Sequence, residues 1–307
     1  MSGSSKKAIY AALAGNSLIA VTKFGAAAYT GSSAMLSESI HSLVDTGNQI
    51  LLLFGIRQAA KPASVEFPFG HGKEIYFWCF IVAMLIFALG GTASIYQGIQ
   101  HLSSVEPIAN ILVNYVVLGF ALIFELGALW VAFKEFNKSR GERSIIAAVK
   151  EGKDPTLFVV VFEDTAATLG LVIAMLGLVM YQLTGNSIFD AIASIAIGVV
   201  LIITAFWLAV ESKGLLIGES ASAQVRRQID DILNQDHRII VLNEVATLHM
   251  GPEFIVVTVS ADFIDALSAG EVESAVTELS DSIKALDARI KRVFIEAERH
   301  SDHFTSP

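Results

Sequence analysis

The sequence predicts an all-α six-helix transmembrane domain, residues 1–211, followed by a small cytoplasmic α+β domain, residues 212–307. Three observations carry that prediction. Hydrophobic residues make up 53% of the 307 and charged residues only 17%, against about 25% charged in soluble domains, and mean hydropathy is +0.59. Apolar windows of about 20 residues, the length that crosses a bilayer, fall at roughly 8–29, 35–57, 76–100, 110–133, 157–182 and 187–209. From about Glu211 the chain turns acidic and mixed, and its apolar residues break into short runs.

The breaks between windows carry turn chemistry: Thr30-Gly31-Ser32-Ser33, Lys61-Pro62, Glu106-Pro107, the charged run Lys134 to Lys153, and Thr184-Gly185-Asn186-Ser187. Basic residues then set orientation. Lys6 and Lys7 precede the first window. Arg57, Lys61 and Lys73 lie between the second and third, and Lys134, Lys138, Arg140, Arg143, Lys150 and Lys153 between the fourth and fifth. The loops near 30–34, 101–109 and 183–187 contain no Lys or Arg. The excess of Lys and Arg on cytoplasmic loops therefore predicts cytoplasmic N- and C-termini, as in a multi-pass protein of the cell (inner) membrane. Met1 to Lys7 lacks the layout of a cleaved signal or transit peptide.

The tail is expected to run α-β-β-α-β. Ser222 to Leu233 has helical periodicity, Val241 to Leu248 and Phe254 to Phe263 are β-branched and alternating, Gly270 to Leu286 is an amphipathic helix, and Ile290 to Ala297 is a closing strand. It contains no glycine-rich nucleotide loop, so no organic cofactor is expected. A net charge of −9 argues against a nucleic-acid partner. The single cysteine, Cys79, stands between Trp78 and Phe80 and reads as a small packed hydrophobe.

Chemistry concentrates in the second window. His41 and Asp45 are four apart, so on a helix they lie one above the other. Both are costly in hydrocarbon, and polar groups kept at that depth mark ion or proton paths. Imidazole with carboxylate is a half-site for a borderline metal such as zinc; the alternative is a hydrogen bond inside the bundle. Glu38 and Asn48 extend the same face. Glu38 reads as an interfacial residue, and Asn48 either as a hydrogen-bond partner for a neighbouring helix or, with Glu163 and Glu125, as an additional metal or proton group. In the fifth window Glu163 and Asp164 are adjacent and diverge by about 100°, so only one can point squarely at a shared centre. Glu125 in the fourth window and Asp164 both lie roughly 12 Å from the cytoplasmic ends at 1.5 Å per residue, which allows a common cavity.

Six windows, His-x-x-x-Asp in the second, an acid in the fifth and a small α+β tail resemble the cation diffusion facilitator family. HSLVDTGNQ (41–49), FGHGKE (69–74), KDPTLFVVVFEDTAATLG (153–170) and TGNSIFD (184–190) are similar to the branch that includes the animal zinc transporter nine. The resemblance implies a homodimer in the lipid bilayer that exchanges Zn2+, as transported substrate, for protons. It implies His41, Asp45 and Asp164 as metal ligands. The family's usual second donor, one turn before that aspartate, corresponds here to Val160. A tetrahedral site needs four donors, and water, a second carboxylate oxygen, Glu163 or Glu125 remain candidates for the fourth. The loop cluster found in some members is reduced to His71, with Glu66 and Glu74 nearby. The histidines of a tail metal site give way to Phe294-Ile295-Glu296-Ala297-Glu298, and His237, His249, His300 and His303 are scattered.

Alternatives stand beside this reading. An oxygen-rich site with one imidazole also suits manganese, iron(II), cobalt or cadmium. A non-transporting metal-sensing membrane scaffold is a second class. An intramembrane hydrolase is a third, though no His-Glu-x-x-His is present; the protein is not expected to be an enzyme.

Overall fold

The computed structural model describes residues 3–103, 108–140, 144–145 and 155–303. Glu106, Pro107, Arg143, Lys150 and Lys153, which enter the sequence reading of the loops, lie outside them. The chain forms two compact units: Met1–Arg57 with Phe77–Lys213, and Gln58–Tyr76 with Gly214–Pro307. Sequence alone divides the chain once, near residue 212; the loop after the second helix belongs with the tail.

The first unit is helical: α1 (Gly3–Thr30), α2 (Ser33–Ala59), α3 (Glu74–Leu85), α4 (Thr92–Ser103), α5 (Ile111–Arg140), α6 (Pro155–Thr184) and α7 (Ile188–Ile217). α3 and α4 are one rod joined by a π-helical turn at Ile86–Gly91. Among the described residues four stretches are long and apolar enough to cross a membrane: Glu74–Ser103, Ile111–Lys138, Phe158–Thr184 and Ile188–Ile217. α1 and α2, 28 and 27 residues long, are not among them, so the expected six spans rest on four plainly apolar helices and two others. In α2 the physical reason is its stripe of buried polar residues.

Short turns set the helix pairs. Gly31 (φ +72°) and Gly185 (φ +67°) occupy the left-handed region, which glycine enters without steric cost, at the α1–α2 and α6–α7 turns. The first N–H groups of a helix have no partner within it. For α2 that partner is Asp190 of α7, whose carboxylate accepts from Ser33 N at 2.6 Å, Ser33 Oγ at 2.8 Å and Ser32 Oγ at 2.6 Å. α4 and α7 touch at glycine: a Cβ on Gly98 would stand 2.8 Å from Ala191 O, and one on Gly198 2.7 Å from Gly91 O. Small residues permit such backbone approach between apolar helices. Cys79 is fully buried.

The second unit carries a three-stranded sheet, β1 (Ile239–Gly251), β2 (Phe254–Phe263) and β3 (Ile290–Ala297), with α8 (Ala223–Gln235), α9 (Ala269–Leu286) and the single turn α10 (His300–His303). The strand order is β1-β2-β3, β1 antiparallel and β3 parallel to β2. Val225, Ile229 and Leu233 of α8 and Ala275, Leu279 and Ile283 of α9 share one core with Val257, Val259 and Ala261 of β2. A parallel strand needs a crossover helix, and α9 is that helix. It opens on a capping box in which Ser268 and Glu271 satisfy each other's backbone donors.

Both helix-to-strand turns use one device. Asp236 accepts from Arg238 N and Nε, each at 2.9 Å; Asp287 accepts from Arg289 N at 2.9 Å and Nε at 3.0 Å. Asp-x-Arg thus closes α8 onto β1 and α9 onto β3. The 58–76 loop joins this unit by close backbone contact, since a Cβ on Gly72 would strike Met250 O.

Candidate functional site

α2 is inverted relative to a helix of a water-soluble core. Glu38, His41, Asp45 and Asn48 are buried, whereas Leu43, Ile50 and Phe54 are exposed. In a membrane that arrangement is the stable one, because lipid solvates the apolar face and polar groups must find partners inside.

Those partners come from three helices. His41 Nδ1 lies 3.3 Å from Asp45 Oδ1. The contact is close enough for an ion pair but not aligned as a hydrogen bond, so both His41 ring nitrogens and Asp45 Oδ1 lack hydrogen-bond partners. From α6, Glu163 Oε1 accepts a 2.6 Å bond from Asn48 Nδ2, and its carboxylate also meets that of Asp45. From α5, the buried Glu125 is near enough to act electrostatically on Asp45, Glu163 and Asp164. From α1, Lys23 Nζ reaches Glu38 Oε2 at 3.1 Å and Ser42 Oγ at 2.8 Å.

Of the adjacent acids on α6, Glu163 is the one turned toward Asp45 and Asn48. Asp164 is half-buried, in electrostatic range of Glu163 and Glu125, and makes no direct bond to His41 or Asp45 among the described residues. Val160, one turn earlier, is half-buried. Among the described residues no three His, Cys, Asp or Glu side chains converge on one point.

One sequence reading changes here. Glu38 is no interfacial residue: it is fully buried because Lys23 neutralises it and Gly170 of α6, lacking a Cβ, leaves room for its Oε1. Lys23 itself was missed. A lone lysine inside an apolar window, far from Lys6 and Lys7, was the available signal, since a charge there must pair within the bundle. Asn48 bonds a neighbouring helix as expected, and that neighbour is an acid of α6.

In the second unit, the His71 ring lies against Phe67, tilted by 44° with 4.5 Å between ring centroids. Glu66 is exposed. His249 is buried with Nδ1 3.3 Å from Gly251 O, and His237 is exposed. His300 Nδ1 is 2.8 Å from Asn243 Oδ1 and His303 Nδ1 2.8 Å from Glu298 Oε2, while Glu296 is exposed.

A bundle of apolar helices that buries an imidazole among several carboxylates defines an integral membrane protein with a polar interior. Residues 9–217 match the cation efflux transmembrane domain. The chain is 33% identical over 259 residues to a proton-coupled zinc antiporter, SLC30A9, mitochondrial, of Xenopus laevis, covering 84% of this chain and 46% of that protein. It is 32% identical to metal tolerance protein C4 of Arabidopsis thaliana, covering 81% and 55%, and 27% identical to the cation-efflux pump FieF of Escherichia coli O1:K1, covering 80% and 77%. The chain belongs to the cation efflux, or cation diffusion facilitator, family, and within it resembles the zinc transporter nine branch. It spans about half the length of the first two of these relatives.

Proposed function

We propose that the protein exports a divalent metal cation, zinc foremost, across a membrane in exchange for protons. The observation that carries this reading is the set of buried, unpartnered donor atoms on α2. Both His41 nitrogens and Asp45 Oδ1 lack hydrogen bonds in a place where an unsatisfied polar group costs about 1–3 kcal/mol. A metal, or protons, would satisfy them. The names of the relatives, an antiporter of zinc and a cation-efflux pump, support the same direction.

In this reading α1, α2, the α3–α4 rod, α5, α6 and α7 are the six spans, both termini are cytoplasmic and the working unit is a homodimer. Zinc enters from the cytoplasm and takes neutral His41 and ionised Asp45, with carboxylates of α6. Asp164 is the family's ligand, and Glu163 is the donor that already faces Asp45; Glu125 completes the charge. Metal ligands must be deprotonated to bind. Protons arriving from the far side therefore compete for the same atoms and release the ion, with no separate proton wire. With one imidazole and several carboxylates the site also suits manganese or iron(II), which makes those ions the second reading.

The test is flux in reconstituted vesicles with an imposed pH gradient. Wild-type protein should carry zinc against the proton flow, and Asp45→Ala should abolish flux while the protein stays folded. Near wild-type flux in Asp45→Ala would remove Asp45 from the ion path. Stoichiometric zinc binding with no flux under any gradient would make the protein a sensor.

A further inference from the structure

Lys23 is fully buried in the first unit, as is Glu38. Replacing a buried ion pair by apolar groups of similar size is often neutral or stabilising, because desolvation offsets the attraction. Stability alone therefore gives α1 no reason to carry an internal lysine. The pair's position supplies one. Lys23 Nζ bonds Glu38 Oε2 and Ser42 Oγ, and Ser42 directly follows His41. Glu38 precedes His41 by three residues, one turn along the same buried face. Its second oxygen, Oε1, is buried with no hydrogen-bond partner, in the gap left by the absent side chain of Gly170. The Lys23 charge reaches His41, Asp45 and Glu125.

We propose that Lys23 and Glu38 form a resident charge pair that sets the affinity and metal preference of the adjacent His41–Asp45 site. The inference rests on the metal-site reading above. Lys23 acts in two ways. Its positive charge opposes a dication nearby, which keeps binding weak enough for release. Its bond to Glu38 also holds that carboxylate back from the site. Freed from Lys23, Glu38 would swing one turn along α2 and add a hard oxygen donor. Glu38 in turn cancels Lys23; without it, the bare ammonium would repel the metal. The two single losses must therefore move affinity in opposite directions, whereas damage to the fold would move both the same way.

Equilibrium zinc and manganese binding to the purified full chain tests this, with Asp45→Ala as the control. Lys23→Met should bind zinc about tenfold more tightly and shift preference toward manganese, and Glu38→Gln should bind zinc about tenfold more weakly, as a unit charge at intermediate effective dielectric allows. The double variant Lys23→Met/Glu38→Gln should return close to wild type. If Lys23→Met does not fold, Lys23→Gln, which keeps a donor for Ser42, takes its place with the same expectation. Both singles moving together, or a double variant that stays far from wild type, overturns the proposal while loss of binding in Asp45→Ala leaves the site intact. Binding that survives Asp45→Ala instead overturns the site, and this inference with it.

Discussion

The two units bury opposite things. The tail hides Val257, Ile229, Leu233 and Ile283 completely and pairs Asp236 with Arg238 and Asp287 with Arg289 in local turns. The helical unit hides Lys23, Glu38, His41 and Asn48 to 1% exposure or less and shows Leu18, Ile123, Ile203 and Phe206 to its surroundings. One chain thus follows two solvent rules, burial of apolar area in water and burial of polar groups in lipid. The difference teaches where a substitution will be felt. In the tail the large effects belong to volume; in the bundle they belong to charge and hydrogen bonding.

That contrast can be broken at several strengths. Leu233→Ala removes a fully buried side chain from the tail core and should cost about 2–4 kcal/mol. Amide exchange of α8 and β2 in the full chain measures it, and unchanged protection would mean the tail core is not one cooperative body. In the bundle, Glu163→Gln keeps volume and removes charge. Zinc affinity should fall about tenfold, the scale on which groups around a metal act, with little change in thermal stability. A large loss of stability with intact affinity would make Glu163 a structural partner of Asn48 only.

Smaller effects sharpen the picture of the tail. Ser268→Ala removes the cap of α9, which should weaken that helix by about 1 kcal/mol, seen as faster exchange confined to its first turn. Acid should act more gently still. Hydrogen bonds from Arg238 hold the Asp236 carboxyl below its ordinary range, those from Arg289 do the same for Asp287, and Ser260 and then His303 do so for Glu298. A carboxyl whose folded pKa is depressed contributes stability above its unfolded pKa and loses it as pH falls through the folded value. The tail should therefore keep full protection above about pH 5 and lose it below about pH 4. Protection that rises on acidification would contradict these pairings.

Much of this was legible beforehand, for different reasons in each unit. Tail elements were readable because alternation and helical periodicity act locally: Phe254–Phe263 and Ile290–Ala297 stand where the pattern put them, and the helices expected from Ser222 and Gly270 form as Ala223–Gln235 and Ala269–Leu286. β1 runs longer than its alternating stretch, Val241 to Leu248, taking in Ile239 and Ile240 before it and His249 to Gly251 after it, because pairing with β2 extends the strand at both ends. The stripe Glu38, His41, Asp45, Asn48 was readable because four polar residues at helical spacing in an apolar window have one shared face. What sequence could not supply was the partner of each. Adjacent acids at 163 and 164 diverge, and only the rotation of α6 against α2 decides which turns inward. Lys23 and Glu38 are 15 residues apart on different helices, and each alone reads as a misfit; their pairing exists only once α1 and α2 are side by side.

The π-helical turn at Ile86–Gly91 gives the α3–α4 rod one residue more than a continuous α-helix would need over the same path. Deleting a single residue there would not shorten the rod so much as regularise it, and Glu74–Leu85 would keep its facing relative to Thr92–Ser103 because the π-turn absorbs the change. Gly98 would keep its seat on Ala191 and Trp78 its place against Gly55, where a Cβ would stand only 2.8 Å from the indole stem. Length at this point is therefore an alignment tool: a gap of one residue between relatives, placed here, would leave both faces of the rod in register, and a gap anywhere else along it would turn one part by about 100° against the other and break the contacts that hold it to α2 and α7.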